Sequence, residues 1–242
     1  MDLTISVYIF CLVTVFIAIF VRTLTGIGGA LVIVTLLSFV LPFKFVVGVD
    51  TLIETIVLAS MVGFLEKNIK IKEITPLFIG AFVGTVIGFI FLKSVSEQIL
   101  RQLLGVIILV SILFLIIEQK KHLKFSKKLG LLFGFIGGSF GSVVASSSPS
   151  FAVFLSGRIN TKDSLRASIL SLVFATSAFR TVIFTVGGII TIDTIILILL
   201  LFPSVIFAMI LSSKMVKKIS VTFLKQAIIT IIFLLGIGLL FV

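Results

Sequence analysis

The sequence has few of the residues on which metalloproteins and many soluble enzymes depend. It contains one cysteine, Cys11, one histidine, His122, no tryptophan, and nine acidic residues among 242. A single cysteine excludes an intrachain disulfide, and these two residues alone cannot supply the usual ligands of a zinc site. His122 lies in a lysine-rich loop, where we interpret it as solvated. We therefore predict no metal and no cofactor.

Apolar residues are abundant instead. They make up 60% of the chain and the mean hydropathy is +1.41, whereas charged residues account for 12%. No water-soluble core could bury this excess, so we predict an all-α polytopic membrane protein in contact with membrane lipid. The net charge of +11 would suggest nucleic acid in a soluble chain. Here most lysines and arginines lie in short connections, which is typical of topology signals, and we predict no nucleic-acid partner.

Short polar stretches between the apolar runs divide the chain into ten predicted helical segments. We expect the first to be a retained helix, because its start lacks the basic region of a signal peptide. Segments two and seven are short and each follows a break, so we predict re-entrant hairpins for segments 1–2 and 6–7. The ten segments are 4–22, 29–41, 46–65, 74–92, 97–117, 129–145, 150–157, 164–187, 193–213 and 220–241.

The basic residues give an orientation. If both termini lie on the outer side of the cell membrane, the inside connections hold 15 lysines and arginines and the outside connections hold three. If one membrane crossing were miscounted, every later connection would change sides, and the excess of basic residues there would lie outside. The outside residues are Lys44, Lys93 and Arg101. The inside residues are Arg22, Lys67, Lys70, Lys72, Lys120, Lys121, Lys124, Lys127, Lys128, Arg158, Lys162, Arg166, Lys214, Lys217 and Lys218.

Five segments per half is an odd number, so the second half enters the membrane with the opposite orientation. The stretch 96–102 parallels 220–226 at an offset of 124, at the start of the last helix of each half. We predict two inverted five-segment repeats: residues 1–118, a basic cytoplasmic linker at 119–128, and residues 129–242.

The two breaks have matching positions in the two halves. They are Thr25-Gly26-Ile27-Gly28-Gly29 and Ser146-Ser147-Ser148-Pro149-Ser150. The first break, the glycine-rich run at 134–141 and the length near 250 make the chain similar to the TauE/SafE, or sulfite exporter, family of membrane permeases. The resemblance implies transport of sulfite, sulfoacetate or another small, mostly sulfur-containing anion. The chain departs from the family pattern in its second break, where a Gly-x-Gly-Gly-Pro turn is common.

We expect the two breaks to form one anion site near the midplane. Glycines allow a close approach of backbone to ligand, Pro149 suits the first turn of a helix, and helix N-termini attract anions. The alternative is that glycine and serine here only permit tight helix packing. The predicted substrate-binding residues of the breaks are Thr25, Gly26, Gly28, Gly29, Ser146, Ser147, Ser148 and Pro149.

Three ionisable residues lie within apolar segments: Asp50, Glu54 and Arg180. Their predicted depths bring Glu54 and Arg180 within reach of each other. In one interpretation Arg180 binds the anion, and Asp50 or Glu54 is the site of a coupling ion, H⁺ or Na⁺. In the other, Glu54 and Arg180 form a structural ion pair and Asp50 caps a helix near the surface.

The other glycines are better explained by packing. Gly80, Gly84 and Gly88 recur every four residues, which is the pattern that lets membrane helices approach closely. Gly134, Gly138 and Gly141 have the same kind of spacing on segment six, which leads into the second break. We expect these three to serve both packing and the site.

The leading hypothesis is a secondary transporter that moves a small anion by alternating access. An anion channel on the same scaffold is the first alternative. An intramembrane serine enzyme using Ser146 to Ser148 is a weaker one, since no base is apparent, and we predict no enzymatic activity. A receptor or assembly subunit is the remaining hypothesis. The sequence contains no signal for a particular oligomeric state.

Overall fold

The computed structural model describes residues 4–25, 29–63, 68–118 and 125–215, and all the long elements in these ranges are α-helices. The prediction of a helical membrane chain is confirmed at this level. The predicted tenth segment, 220–241, lies outside the described residues. The helices are α1 (Ile5–Thr25), α2 (Gly29–Leu37), α3 (Phe43–Val62), α4 (Ile71–Ser94), α5 (Glu97–Glu118), α6 (Leu129–Val144), α7 (Ser148–Ser156), α8 (Lys162–Val186) and α9 (Ile192–Met215).

Four of these helices, α1, α4, α8 and α9, are long and apolar enough to cross a membrane. Helix α3 has 20 residues but carries Lys44, Asp50 and Glu54. Helices α4 and α9 expose rows of large apolar side chains, among them Ile79, Val83, Leu199 and Phe207. In water such faces would be unfavourable, whereas against lipid they are matched.

The first hairpin differs from its predicted bounds at two places. Helix α1 continues to Thr25 instead of ending at residue 22, and α2 ends at Leu37 instead of continuing to residue 41. The predicted end at residue 41 was too late, since Pro42 disfavours helical backbone at Leu41, the residue before it. Pro42 is then the N-cap of α3, and the backbone N–H of Phe43 donates to Glu97 at 3.1 Å.

The second hairpin turns at Ala145. This residue has φ 56°, the left-handed conformation that ends α6. A residue with a Cβ adopts this conformation at a cost of about 1 kcal/mol or more, so the surrounding packing must hold it. Helix α7 then begins at Ser148, with Pro149 in its first turn, two residues earlier than predicted.

The closest helix pair is α4 with α6, and glycine makes it so. A Cβ on Gly80 or Gly84 would overlap the backbone carbonyl of Leu131 or Phe135, and one on Gly88 would lie 2.7 Å from the carbonyl oxygen of Ser139. The packing prediction for the α4 glycines is therefore confirmed.

The helices group into two packing units. We call α1, α2, α3 and α9 unit A, and α4, α6, α7 and α8 unit B, because α1 packs against α9 and α4 against α6. Each unit thus contains the fourth helix of the other sequence half. The units meet mainly where α3 crosses α8, and we call this boundary the seam.

The two ends of the bundle differ in charge. At the end where α1 and α3 finish and α8 begins, Arg158 pairs with Glu73, and Arg166 donates to the carbonyl of Thr23. We call this the basic end, because Lys70, Lys72, Lys162 and Lys214 also lie on its helix termini and connections. At the opposite end, Lys44 donates across the seam to the carbonyl of Lys93 at 3.0 Å.

Candidate functional site

Glu54 lies in the seam between two arginines. Its Oε2 accepts from Nη2 of Arg180 on α8 at 2.6 Å, and its Oε1 accepts from Nη2 of Arg22 on α1. All three residues are buried; Glu54 and Arg180 are each 2% exposed. The prediction that Glu54 and Arg180 lie within reach of each other is confirmed. One carboxylate therefore joins two guanidinium groups from different packing units.

Arg22 corrects the sequence analysis. It was assigned to an inside connection as a topology signal, but it lies on α1 and is 6% exposed. The helix continues for three residues beyond it, and side chains on a helix point back toward its N-terminus. Its guanidinium therefore reaches Glu54 inside the bundle rather than the aqueous end.

Arg180 is held by a second contact, to unit B itself. Its Nη1 donates to the carbonyl oxygen of Gly141 on α6. A Cβ on Gly141 would lie 2.7 Å from that nitrogen and 3.3 Å from Cβ of Ser147. The absent side chain of Gly141 thus makes room for the arginine and brings the serine tip beside it. This supports the expectation that segment six contributes to the site as well as to packing.

Ser147 presents a hydroxyl with no described partner. It is 2% exposed, and its Oγ forms no hydrogen bond within the described residues. An unsatisfied buried hydroxyl costs about 1–3 kcal/mol, so its retention calls for an explanation. A ligand between the tip and Arg180 would supply the missing partner.

Asp50 is more deeply buried than the interpretation with a structural Glu54–Arg180 ion pair predicts. It is 0% exposed, lies in the interior of α3, and neither carboxylate oxygen has a hydrogen-bond partner among the described residues. The expectation that it caps a helix near the surface is wrong. Because residues four apart share a helix face, Asp50 lies one turn from Glu54 on the same side.

The predicted tip residues are partly brought together. Gly29 begins α2, and a Cβ there would lie 2.8 Å from Cβ of Arg22 and 2.9 Å from the carbonyl oxygen of Ala18. Ser146 and Ser147 are buried, whereas Ser148 and Pro149 are half-buried in the first turn of α7. Thr25 ends α1, and Gly26 and Gly28 lie outside the described residues. One tip therefore adjoins Arg22 and the other adjoins Arg180.

Comparison with known protein families identifies the chain. A family model, the sulfite exporter TauE/SafE, matches residues 11–239. The chain belongs to this family. Comparisons with curated proteins and with solved structures found no match.

Membership of the TauE/SafE family makes the chain a membrane transporter that passes a small substrate, and the buried polar cluster in its apolar bundle agrees with that role. Charged side chains within membrane helices are costly and commonly mark a substrate or ion pathway. The family consists of transporters rather than enzymes.

The charges of the site balance when Asp50 is ionised. Arg22 and Arg180 contribute two positive charges, while Glu54 and an ionised Asp50 contribute two negative ones. Protonation of Asp50 would leave a net charge of +1. Each guanidinium carries five N–H donors, and the Nε groups of both arginines have no hydrogen-bond partner within the described residues. The two guanidinium groups can therefore donate hydrogen bonds to further oxygen atoms of a ligand.

A signal for Arg22 was present in the sequence. The charged residues well inside the predicted segments are two acidic ones, Asp50 and Glu54, and one arginine, Arg180. Since buried charges are normally paired, this count leaves one carboxylate without a cation. Arg22 lies three residues before the first break, and the structure pairs it with Glu54, whereas Asp50 has no hydrogen-bond partner within the described residues.

Proposed function

We propose that this protein is a secondary transporter that moves a small, sulfur-containing anion of the sulfite or organosulfonate type by alternating access. The observation that carries the proposal is the pair of buried guanidinium groups on Glu54, together with the unpartnered hydroxyl of Ser147. Guanidinium groups suit oxyanions because their parallel N–H donors match two oxygens of one ligand.

In this proposal Glu54 occupies the arginines when the site is empty. An arriving anion competes for the donors of Arg22 and Arg180, while Ser147 and the start of α7 supply further donors. The glycine tip, Thr25 with Gly26, Gly28 and Gly29, provides the matching backbone approach from unit A. Ser146, Ser148 and Pro149 shape the serine tip, which is where this chain departs from the family pattern.

Asp50 is the proposed site of the coupling ion. It is a buried carboxylate with two free oxygens, one turn from Glu54 on α3. Uptake of H⁺ or Na⁺ by Asp50 changes the net charge of the cluster from zero to +1, which favours binding of an anion. Release of the ion restores neutrality and favours the empty site closed by Glu54.

The packing supports an inverted repeat. Helices α2 and α7 each have nine residues, and each is followed by a connection of five, 38–42 and 157–161. Helix α1 packs against α2 and α9, as α6 packs against α7 and α4. An inverted pair of units about a central site is the architecture in which one unit can rock against the other.

The orientation follows from the basic end, which we propose faces the cytoplasm, with both termini outside the cell membrane. Removing Arg22 from the inside count changes it from 15 to 14, against three outside. Because arginines and lysines concentrate in cytoplasmic connections, the bias keeps its direction.

The test is anion flux in proteoliposomes with the variant Arg180→Gln. We expect uptake of labelled sulfite to fall by about tenfold or more, since a charge-assisted hydrogen bond contributes about 1.5–3 kcal/mol. Arg180→Lys keeps the charge and should retain an intermediate rate. Arg101→Gln is the matched control. Arg101 lies on α5, outside the site, and its ion pair with Glu97 on the same helix is a long one of 4.0 Å.

Two results would contradict the proposal. Unchanged flux and affinity in correctly inserted Arg180→Gln protein would remove Arg180 from the site. A conductance without substrate-accelerated exchange would favour an anion channel, although the burial of Glu54 and both arginines favours a carrier.

A further inference from the structure

A cavity of about 420 Å³ opens at the basic end of the seam. Unit A contributes Thr23 on α1, Ser60 and Met61 on α3, and Ser213 on α9, whereas unit B contributes Arg166 and Leu170 on α8. One ordered water needs about 10–15 Å³, so the cavity has room for a small anion with part of its hydration shell.

The cavity lies on the side of the buried site that faces the basic end. Thr23 is the neighbour of Arg22, whose guanidinium binds Glu54. On α3, Ser60 is six residues beyond Glu54, about 9 Å along the helix axis at 1.5 Å per residue. Arg166 is 14 residues before Arg180 on α8, about 21 Å by the same measure. Thr23, Ser60 and Arg166 thus place the cavity on the three helices that carry Arg22, Glu54 and Arg180, toward the basic end, although those three site residues do not line it.

Among the described residues, the lining has a single sign of charge. Arg166 is its charged residue, and no acidic side chain in the described part of the chain forms an ion pair with it. The three hydroxyls of Thr23, Ser60 and Ser213 donate back to carbonyls of their own helices, at 2.7–2.8 Å. Arg166 uses one N–H on the carbonyl of Thr23 at 3.1 Å, and within the described residues most of its donors are available to an anion.

A second cavity at the same end lacks this character. Its volume is about 590 Å³, and its lining balances Lys70 and Arg158 against Glu73 and Asp163. Arg158 is also engaged, since it pairs with Glu73 and donates to the carbonyl of Phe125. Electrostatic attraction of an anion thus favours the smaller cavity.

We infer that the 420 Å³ cavity is the entry vestibule for the transported anion at the basic end, and that Arg166 is the residue that first captures it. The inference rests on the proposed function, since it assigns a route to that same site. Capture by Arg166 raises the local anion concentration beside Arg22, which then replaces Arg166 as the partner of the anion. The bond from Arg166 to Thr23 joins the two units across the seam.

The first test measures the KM for sulfite in proteoliposomes in which the protein is oriented with its basic end toward the substrate. Arg166→Gln should raise KM about three- to tenfold and leave the maximal rate nearly unchanged, because a charge at the rim acts on encounter. Arg166→Lys should restore most of the loss. Lys162→Gln is the control, since Lys162 is exposed one turn away on α8 and lines neither cavity. Equal shifts in Arg166→Gln and Lys162→Gln would overturn the inference.

The second test does not require transport. In a Cys11→Ser background, Ser213→Cys should react several-fold faster with an anionic sulfonate thiol reagent than with a cationic one, and Arg166→Gln should abolish the preference. Asn160→Cys lines the second cavity and should show no such preference. If Ser213→Cys shows no preference in protein that retains Arg166, the vestibule is rejected, whereas a clear preference without sulfite flux would reject the proposed function alone.

Discussion

At the scale of single residues, Glu54 and Asp50 differ in a way that their sequence positions do not reveal. Both are buried carboxylates on one face of α3, but Glu54 contacts two guanidinium groups and Asp50 has no hydrogen-bond partner within the described residues. Breaking a buried ion pair leaves charges uncompensated in the interior. Glu54 should therefore contribute to stability, whereas Asp50 should contribute to coupling.

We predict opposite outcomes for the two conservative variants. Glu54→Gln should lower the free energy of unfolding by about 3–5 kcal/mol, because Arg22 and Arg180 lose their counter-charge. Asp50→Asn should leave stability unchanged or raise it, while removing the dependence of sulfite flux on pH or Na⁺. Unfolding in detergent and flux across ion gradients measure the two effects.

Each variant is the control of the other, since both neutralise one carboxylate on the same helix. Equal destabilisation by both would show that Asp50 has a partner of its own. Full retention of ion-dependent flux in Asp50→Asn would exclude it as the coupling site.

At the scale of elements, the contact of α4 with α6 depends on backbone approaching backbone. A Cβ on Gly138 would lie 2.8 Å from both the carbonyl carbon and Cα of Ala81. Atoms of a packed backbone cannot yield as the end of a flexible side chain can. Helix α6 also carries Gly141, so its distance from α4 influences where Arg180 and Ser147 meet.

We predict that Gly138→Ala lowers the free energy of unfolding by about 1–3 kcal/mol, the usual cost of overpacking. Gly63→Ala is the matched control, because a Cβ at Gly63 would meet no atom of the described residues within 4 Å and its φ is −58°. Thermal unfolding of purified protein compares the two. Equal melting temperatures for Gly138→Ala and the parent would mean that α4 and α6 can separate without cost.

At the scale of the whole molecule, the candidate site lies where unit A meets unit B. Besides Glu54 and Arg180, Thr55 and Thr181 join hydroxyls across the seam at 3.0 Å. The seam is also bridged at both ends, by Arg166 to Thr23 and by Lys44 to Lys93. Alternating access requires that these end contacts open in turn while the central site stays between the units.

We predict that joining the units at the end opposite the basic end stops transport. In a Cys11→Ser background, Lys44→Cys with Lys93→Cys, linked by a short bifunctional thiol reagent, should abolish sulfite flux until the link is cleaved. Tyr8→Cys with Leu200→Cys is the control, because Tyr8 bonds the carbonyl of Leu200 within unit A at 2.9 Å. Undiminished flux through protein linked at 44 and 93 would exclude opening at that end.

Much of the fold could be predicted from the sequence because the relevant signals are local. Apolar runs, their charged connections and the interruptions at glycine, serine and proline predicted the nine described helices to within four residues at each end. The pairing of Glu54 with Arg180 could also be predicted, since burial of a charge in an apolar segment demands a partner near the same depth.

The sequence by itself determined that this protein is a helical membrane chain, that its helices are interrupted at two matching places, and that Glu54 and Arg180 lie within reach of each other. Only the tertiary structure decided that Arg22 belongs to that cluster, that Asp50 has no hydrogen-bond partner in it, and that Gly141 brings Ser147 beside Arg180. The physical reason is that composition and periodicity fix which segments avoid water. Which side chains share a site depends on how α1, α3, α6 and α8 pack, and residues more than 100 positions apart in the chain supply that information.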